Sequence, residues 1–254
     1  MHSDDAARVV RSYAAVSRAC RAVEERALRR SEASIASPYG PLVRAEVVPD
    51  CGPKTREITP AAEEDMVLAH VFKSRAFPML WGDDRVAASL GPGRASAVRD
   101  LVAPVPGMAV LSADLKTATD LIPLPLIATV SRAMTEHYAW PGVNGPTLAA
   151  AWSGYGTGVH VVPQECSGLA DGLAERDPGS YLTTRGAPMG LPYAWFTLNL
   201  INLFCADRAT ALGGKCSSVM VNGDDLLANC DATWASHYEA SIVAMGLEFS
   251  SSKH

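Results

Sequence analysis

No apolar run in this 254-residue chain approaches the ~20 residues that a bilayer-spanning helix needs. The longest candidates, 121–130 and 194–206, are short and broken by Pro or Asn. The first residues lack a charged-then-apolar leader pattern, because Asp4, Asp5 and several arginines interrupt it. A cytosolic protein is the default expectation. The six cysteines (Cys20, Cys51, Cys166, Cys205, Cys216 and Cys230) include no C-x-x-C pair. That spacing argues against a zinc module and, in a reducing compartment, against a disulfide framework. Buried free thiols are expected instead. No internal repeat is visible, and there is no excess of positive charge: the formal net charge is −5.

The remaining composition is that of an ordinary globular protein, 48% hydrophobic and 19% charged, with enough chain for one large core or two modest ones. The negative sum hides an asymmetry. Residues 1–100 hold 15 Lys and Arg against 14 Asp and Glu, whereas residues 101–254 hold 7 against 13. An acidic second half suits a carboxylate metal site, and a metal held there presents positive charge to phosphates. A local basic groove is all that RNA binding would need.

Hydrophobic spacing predicts an amphipathic helix over 5–32, with Val9, Tyr13, Val16, Cys20 and Val23 on one face and its arginines solvated. A strand is expected over 43–49. Thr59-Pro60 ahead of Glu63, Glu64 and Asp65 reads as a helix start, the helix running to about residue 76. Further elements are expected as a short helix after Gly91-Pro92-Gly93, a strand through Ala109–Leu111, and helices over 125–137, 193–211 and 233–245. A hairpin pairs 217–221 with 226–229. Residues 141–180 read as irregular apart from a strand near 159–162. The order predicts an α+β fold with helices on one face of an antiparallel sheet.

Two segments carry the chemistry. In Val219-Met220-Val221-Asn222-Gly223-Asp224-Asp225-Leu226, apolar runs flank a tight turn with two adjacent carboxylates, and Asn222-Gly223 supplies the positive φ such a turn requires. Two carboxylates so close repel one another unless a cation lies between them. Asn-Gly-Asp is also ordinary hairpin chemistry. In Ser112-Ala113-Asp114-Leu115-Lys116-Thr117-Ala118-Thr119-Asp120, Asp114 ends an apolar strand, where a carboxylate can face a cleft. Asp120 follows six residues on, and alone the pair reads equally as a strand end and a helix cap.

Together these segments resemble motifs A and C of viral RNA-dependent RNA polymerases. The rest of the chain follows suit. Arg185-Gly186-Ala187-Pro188-Met189-Gly190-Leu191-Pro192, with Asn199 and Asn202 on the helix behind it, is similar to motif B. Gly52-Pro53-Lys54-Thr55-Arg56-Glu57-Ile58 resembles the basic motif F, and 246–254 the start of motif D. The order F, A, B, C, D is the family's, and the matches span about 46–254. The forms of motifs A and B resemble the narnavirus and ourmia-like branch. Ala194 stands where the family usually has Ser or Thr, which shifts the sensing of the ribose 2′-OH toward Asn199 or Asn202.

The resemblance implies a right-hand polymerase palm. Residues 1–106 would form part of the fingers including motif F, and 107–254 the palm, with 141–180 a fingers insertion and the thumb absent. It implies two-metal nucleotidyl transfer with Mg²⁺ or Mn²⁺, two ions held by Asp114 and Asp224 with Asp225 in support. Lys54 and Arg56 would face the incoming triphosphate, Lys253 would protonate the leaving pyrophosphate, and Asp120 would bond the ribose 2′-OH. Arg185, Gly186 and Gly190 would form a loop against the template or nascent pair, while Met189 is expected in the core. The implied partners are RNA template and nascent strand, nucleoside triphosphates, and a second chain if the thumb is supplied separately. The implied location is the host cytoplasm, with the mitochondrion the other candidate. Two other readings fit the same residues: another palm polymerase such as a reverse transcriptase, and a catalytically silent RNA-binding fragment.

Overall fold

The computed structural model describes residues 15–23, 25–27, 29, 42–49, 55–137, 158–162 and 180–250. Its elements in chain order are β1 (Leu42–Arg44), β2 (Glu46–Pro49), β3 (Thr55–Ile58), α1 (Glu63–Trp81), α2 (Asp84–Leu90) and α3 (Arg94–Leu101). There follow β4 (Ala109–Asp114), α4 (Ala118–Leu121), α5 (Leu124–His137), β5 (His160–Val162) and β6 (Tyr181–Leu182). The chain then forms α6 (Pro192–Ala211), β7 (Cys216–Asn222), β8 (Asp225–Cys230) and α7 (Ala232–Ala244).

The centre is an antiparallel sheet in the order β4-β8-β7, with β8 paired on both sides. Its strands form because β-branched and apolar residues alternate with small ones, and because a turn with left-handed glycine joins β7 to β8. Against it lies α6, apolar on nearly every side and buried along most of its length, as expected of a helix inside a core. Helix α6 packs on α7 and α1, and α2 packs on β7. Phe196, Trp234, Tyr238, Ile127 and Leu226 are fully enclosed. Each apolar side chain of this size contributes roughly 1.5–3 kcal/mol when removed from water.

Two smaller sheets flank this centre. Strands β2 and β3 form an antiparallel ribbon, while β1 runs parallel to β5, which pairs antiparallel with β6. The single expected strand over 43–49 is thus two strands, and the parallel pairing joins segments too distant in sequence for any local pattern to announce it. Three further expectations change. The first long helix begins at Glu63 behind Ala62, with no side-chain cap, and runs through Pro78 to Trp81. Thr59 is not its cap, since its hydroxyl and its N–H both donate to the carbonyl of Met189, each at 2.8 Å. Residues 15–23 are helical, but Val16, Cys20 and Val23 are exposed, so that face is not covered by any described residue. Among the described residues, no helix is long and apolar enough to cross a membrane. The described cysteines are free: Cys205 and Cys230 are buried, and burial pushes their thiols up to about 12 and about 11. Cys51 and Cys166 lie outside the described residues.

Candidate active site

Strand register determines which carboxylates meet. Asp114, the last residue of β4, is the direct partner of Asp225, the first residue of β8. Opposed residues in an antiparallel pair lie about 4.5–5.5 Å apart at Cα and project to the same face. The N–H of Leu115 donates to the carbonyl of Asp224 at 3.2 Å, so the ladder continues past the strand end onto the turn itself. Gly223 and Asp224 form the two-residue loop between the paired Asn222 and Asp225. Only the glycine takes positive φ, +65°, the pattern of a turn with glycine at the first central position. Asp224 and Asp225 are exposed, and Asp114 is half-buried.

These three carboxylates offer hard oxygen donors at the end of one sheet. Among the described residues no group of three or more His, Cys, Asp or Glu side chains is placed to hold a metal ion. The donor set nevertheless fits Mg²⁺, which takes one or two carboxylates and completes its shell with water and substrate phosphate.

A separate cavity of about 500 Å³ gathers residues from the segments that resemble motifs F, A and B, among them Arg56, Glu57, Asp120, Arg185, Gly186 and Met189. Arg56 enters it from β3 and Asp120 from α4. Met189, expected in the core, is part of its wall. Asp120 keeps an exposed side chain, yet the walls strip enough water from its carboxyl to raise its pKa. Glu57 across the cavity adds repulsion in the same direction, and a hydrogen bond from Thr119 opposes both. An anionic, phosphate-bearing ligand would meet Arg56 and Arg185 on this wall.

The loop over 185–190 is fixed by backbone bonds. Gly186 N–H donates to the carbonyl of Ile122 at 2.8 Å, and Ala187 N–H to that of Thr119 at 2.7 Å. Gly186 has φ +95°, and a Cβ there would lie 2.9 Å from the Asp120 carbonyl oxygen, so glycine is required for the close approach. Gly190, with φ +114°, follows where the loop passes Thr59. The Arg185 guanidinium donates to the carbonyls of Leu121, at 2.6 Å, and Gly246. Thr117, between Asp114 and Asp120, is the one non-glycine residue with positive φ among those described, 42°. Such strain persists only where surrounding structure over-determines it.

The structure does not bring Asn199 or Asn202 to the cavity wall. Both are fully buried on α6 beneath the turn, Asn199 accepting from Gly223 N–H at 3.0 Å and Asn202 donating to the Gly223 carbonyl at 3.1 Å. Lys54 and Lys253 lie outside the described residues. Three contributors escaped the sequence reading: Glu57 as the neighbour of Asp120, Trp195 against the turn, and Tyr238 from α7. Alternation along β3 sets Glu57 on the face opposite Arg56 and so does not announce it; Trp195 stands in the sequence only as the tryptophan of the motif B pattern, and nothing local marks Tyr238.

No family model matches the chain. Two curated proteins do. It is 29% identical over 225 residues to the RNA-directed RNA polymerase of Saccharomyces 20S RNA narnavirus, covering 84% of this chain and 25% of that protein. It is likewise 29% identical over 234 residues to that of Saccharomyces 23S RNA narnavirus, covering 83% of this chain and 22% of that one. The chain therefore spans about a quarter of the length of the curated relatives it matches. Among solved structures, the RNA-dependent RNA polymerase of a human picorbirnavirus superposes with a TM-score of 0.61 at 9% identity, over 84% of this chain and 40% of that one. Its insertion-loop deletion mutant gives 0.59 at 10% identity, over 83% and 41%. In sequence the chain is similar to narnavirus RNA-directed RNA polymerases, and in fold to a viral RNA-dependent RNA polymerase.

Proposed function

We propose that this chain carries the catalytic palm of an enzyme that synthesises RNA on an RNA template, in the replication of a positive-strand RNA virus in the host cytoplasm. The observation that carries the reading is the register that opposes Asp114 to Asp225 beside Asp224. The cavity holding Arg56, Asp120 and Arg185 supports it, as does the sequence relation to narnavirus polymerases.

In this reading Asp114 and Asp224 hold two divalent ions, Mg²⁺ or Mn²⁺, and Asp225 assists. When bound, the ions supply charge that acidifies the primer 3′-OH and stabilises the pyrophosphate. The chain's own residues position the reactants, which is most of what phosphoryl transfer asks of a protein. Arg56 and Lys54 orient the triphosphate, Asp120 accepts from the ribose 2′-OH, and Lys253 delivers a proton to the leaving group. Gly186 and Gly190 let the loop backbone approach the nascent pair.

The test is nucleotide addition by the polymerase containing this chain. Asp114→Ala and Asp224→Ala abolish it while the protein stays folded, whereas extension at the wild-type rate by either overturns the metal assignment. Asp120→Ala lowers the preference for ribonucleotides over deoxyribonucleotides. An unchanged ratio removes Asp120 from ribose recognition and reopens the reverse-transcriptase reading.

A further inference from the structure

Tight turns at hairpin tips ordinarily leave their central peptide groups to water. Here the peptide groups of Gly223 are claimed by side chains from a neighbouring helix. Asn199 Oδ1 accepts the Gly223 N–H at 3.0 Å, and Asn202 Nδ2 donates to the Gly223 carbonyl at 3.1 Å. The two asparagines lie three residues apart and therefore share one face of α6.

Each amide is itself oriented by a second bond. Asn199 Nδ2 donates to the Trp195 carbonyl at 2.8 Å, which leaves its oxygen for the turn. The Tyr238 hydroxyl donates to Asn202 Oδ1 at 2.7 Å, which turns the amide nitrogen toward Gly223. Tyr238 is fully buried, stacked on Trp234 at 5.4 Å and tilted against Phe249 at 6.1 Å, so the phenol has little freedom. Burial holds its pKa far above the ordinary value, which keeps it a donor. From another direction the Trp195 ring presses on Gly223, where an added Cβ would lie 2.7 Å from Nε1. Trp195 in turn stacks on Phe77 of α1 at 5.3 Å.

Two amides and a phenol wholly inside a core are costly unless every polar atom is satisfied, and apolar residues of like size would hold a helix to a hairpin at least as well. What the polar set adds is geometry: it fixes the two consecutive peptide units that meet at Gly223, the second of which leads into Asp224. We infer that Asn199, Asn202 and Tyr238 form a positioning clamp that sets the carboxylates of Asp224 and Asp225 at the spacing from Asp114 that a divalent ion requires. This inference rests on the metal-binding reading of those carboxylates. It gives the two asparagines a role one step removed from substrate.

The experiment is Mn²⁺ binding to the chain, followed by the electron paramagnetic resonance of free Mn²⁺, with thermal melts run on every variant. Tyr238→Phe keeps the ring and removes the bond that orients Asn202. It weakens Mn²⁺ binding about tenfold, the worth of one buried hydrogen bond, at temperatures where it is fully folded. Asn199→Asp keeps an acceptor for Gly223 N–H, whereas Asn202→Asp places an acceptor against the Gly223 carbonyl. Each buries one new charge, yet the clamp predicts that Asn202→Asp loses much more Mn²⁺ affinity than Asn199→Asp. Equal losses, or wild-type binding by folded Tyr238→Phe, overturn the clamp while Asp224→Ala still abolishes binding. If the wild type binds no more Mn²⁺ than Asp224→Ala, the metal reading itself falls and the clamp falls with it.

Discussion

Replacing Gly223 by alanine tests the turn at two points at once. With φ at +65° the residue occupies the left-handed region, which costs an L-residue with a Cβ roughly 1–2 kcal/mol. The added Cβ would also meet Trp195 Nε1 at 2.7 Å and Cδ1 at 2.9 Å. The indole cannot simply swing aside, since it stacks on Phe77 with an interplanar angle of 27°. Forcing a core ring to move costs ~1–3 kcal/mol more. Gly223→Ala should therefore destabilise the chain by about 2–5 kcal/mol. Gly213→Ala is the control: φ there is +97°, but nothing lies within 4 Å of the added Cβ. It bears only the backbone cost, about 1–2 kcal/mol. Urea unfolding followed by circular dichroism separates the two. Equal midpoints for the two variants would mean that Trp195 does not wedge the turn, and the steric part of the argument would fail.

Asp120 yields a pH dependence. Its folded pKa is raised by burial and by Glu57, so the native state holds a proton that the unfolded chain has released, and stability falls as pH rises through that window. Asp120→Asn should raise the melting temperature near neutral pH and leave it unchanged below about pH 3, where both forms are neutral; an equal effect at both pH values would refute the electrostatic cause. Asn229 donates from Nδ2 to the carbonyls of Leu101, at 3.0 Å, and Ala103, at 2.8 Å, tying β8 to the end of α3. Asn229→Ala leaves those acceptors without this donor and should cost about 1–3 kcal/mol in unfolding free energy. A loss below the error of the melt would show that water replaces the amide.

The parts of the fold legible in the sequence were those held by local physics. The β7–β8 hairpin follows from alternation around a glycine turn, and α6 and α7 from apolar runs bounded by Pro192, the glycine pair Gly213-Gly214 and the Asp231 cap. Asp114 was legible because strand β4 ends on it. What escaped depends on contacts between distant segments. Thr59 looks like a helix cap until Met189, 130 residues away, takes its hydroxyl. Asn199 and Asn202 look like substrate contacts on a helix beside a binding loop. Only the packing of α6 under the hairpin shows both amides turned inward to Gly223. The parallel pairing of β1 with β5 joins residues more than a hundred positions apart, which no periodicity encodes.

The most direct measurement is crystallographic: the anomalous signal of Mn²⁺ in crystals of the chain soaked with a ribonucleoside triphosphate. The account predicts Mn²⁺ bound by the carboxylates of Asp114 and Asp224, with the triphosphate reaching toward Arg56. Mn²⁺ found only elsewhere, or those carboxylates turned apart with the nucleotide in another cleft, would contradict the metal assignment and the polymerase reading built on it.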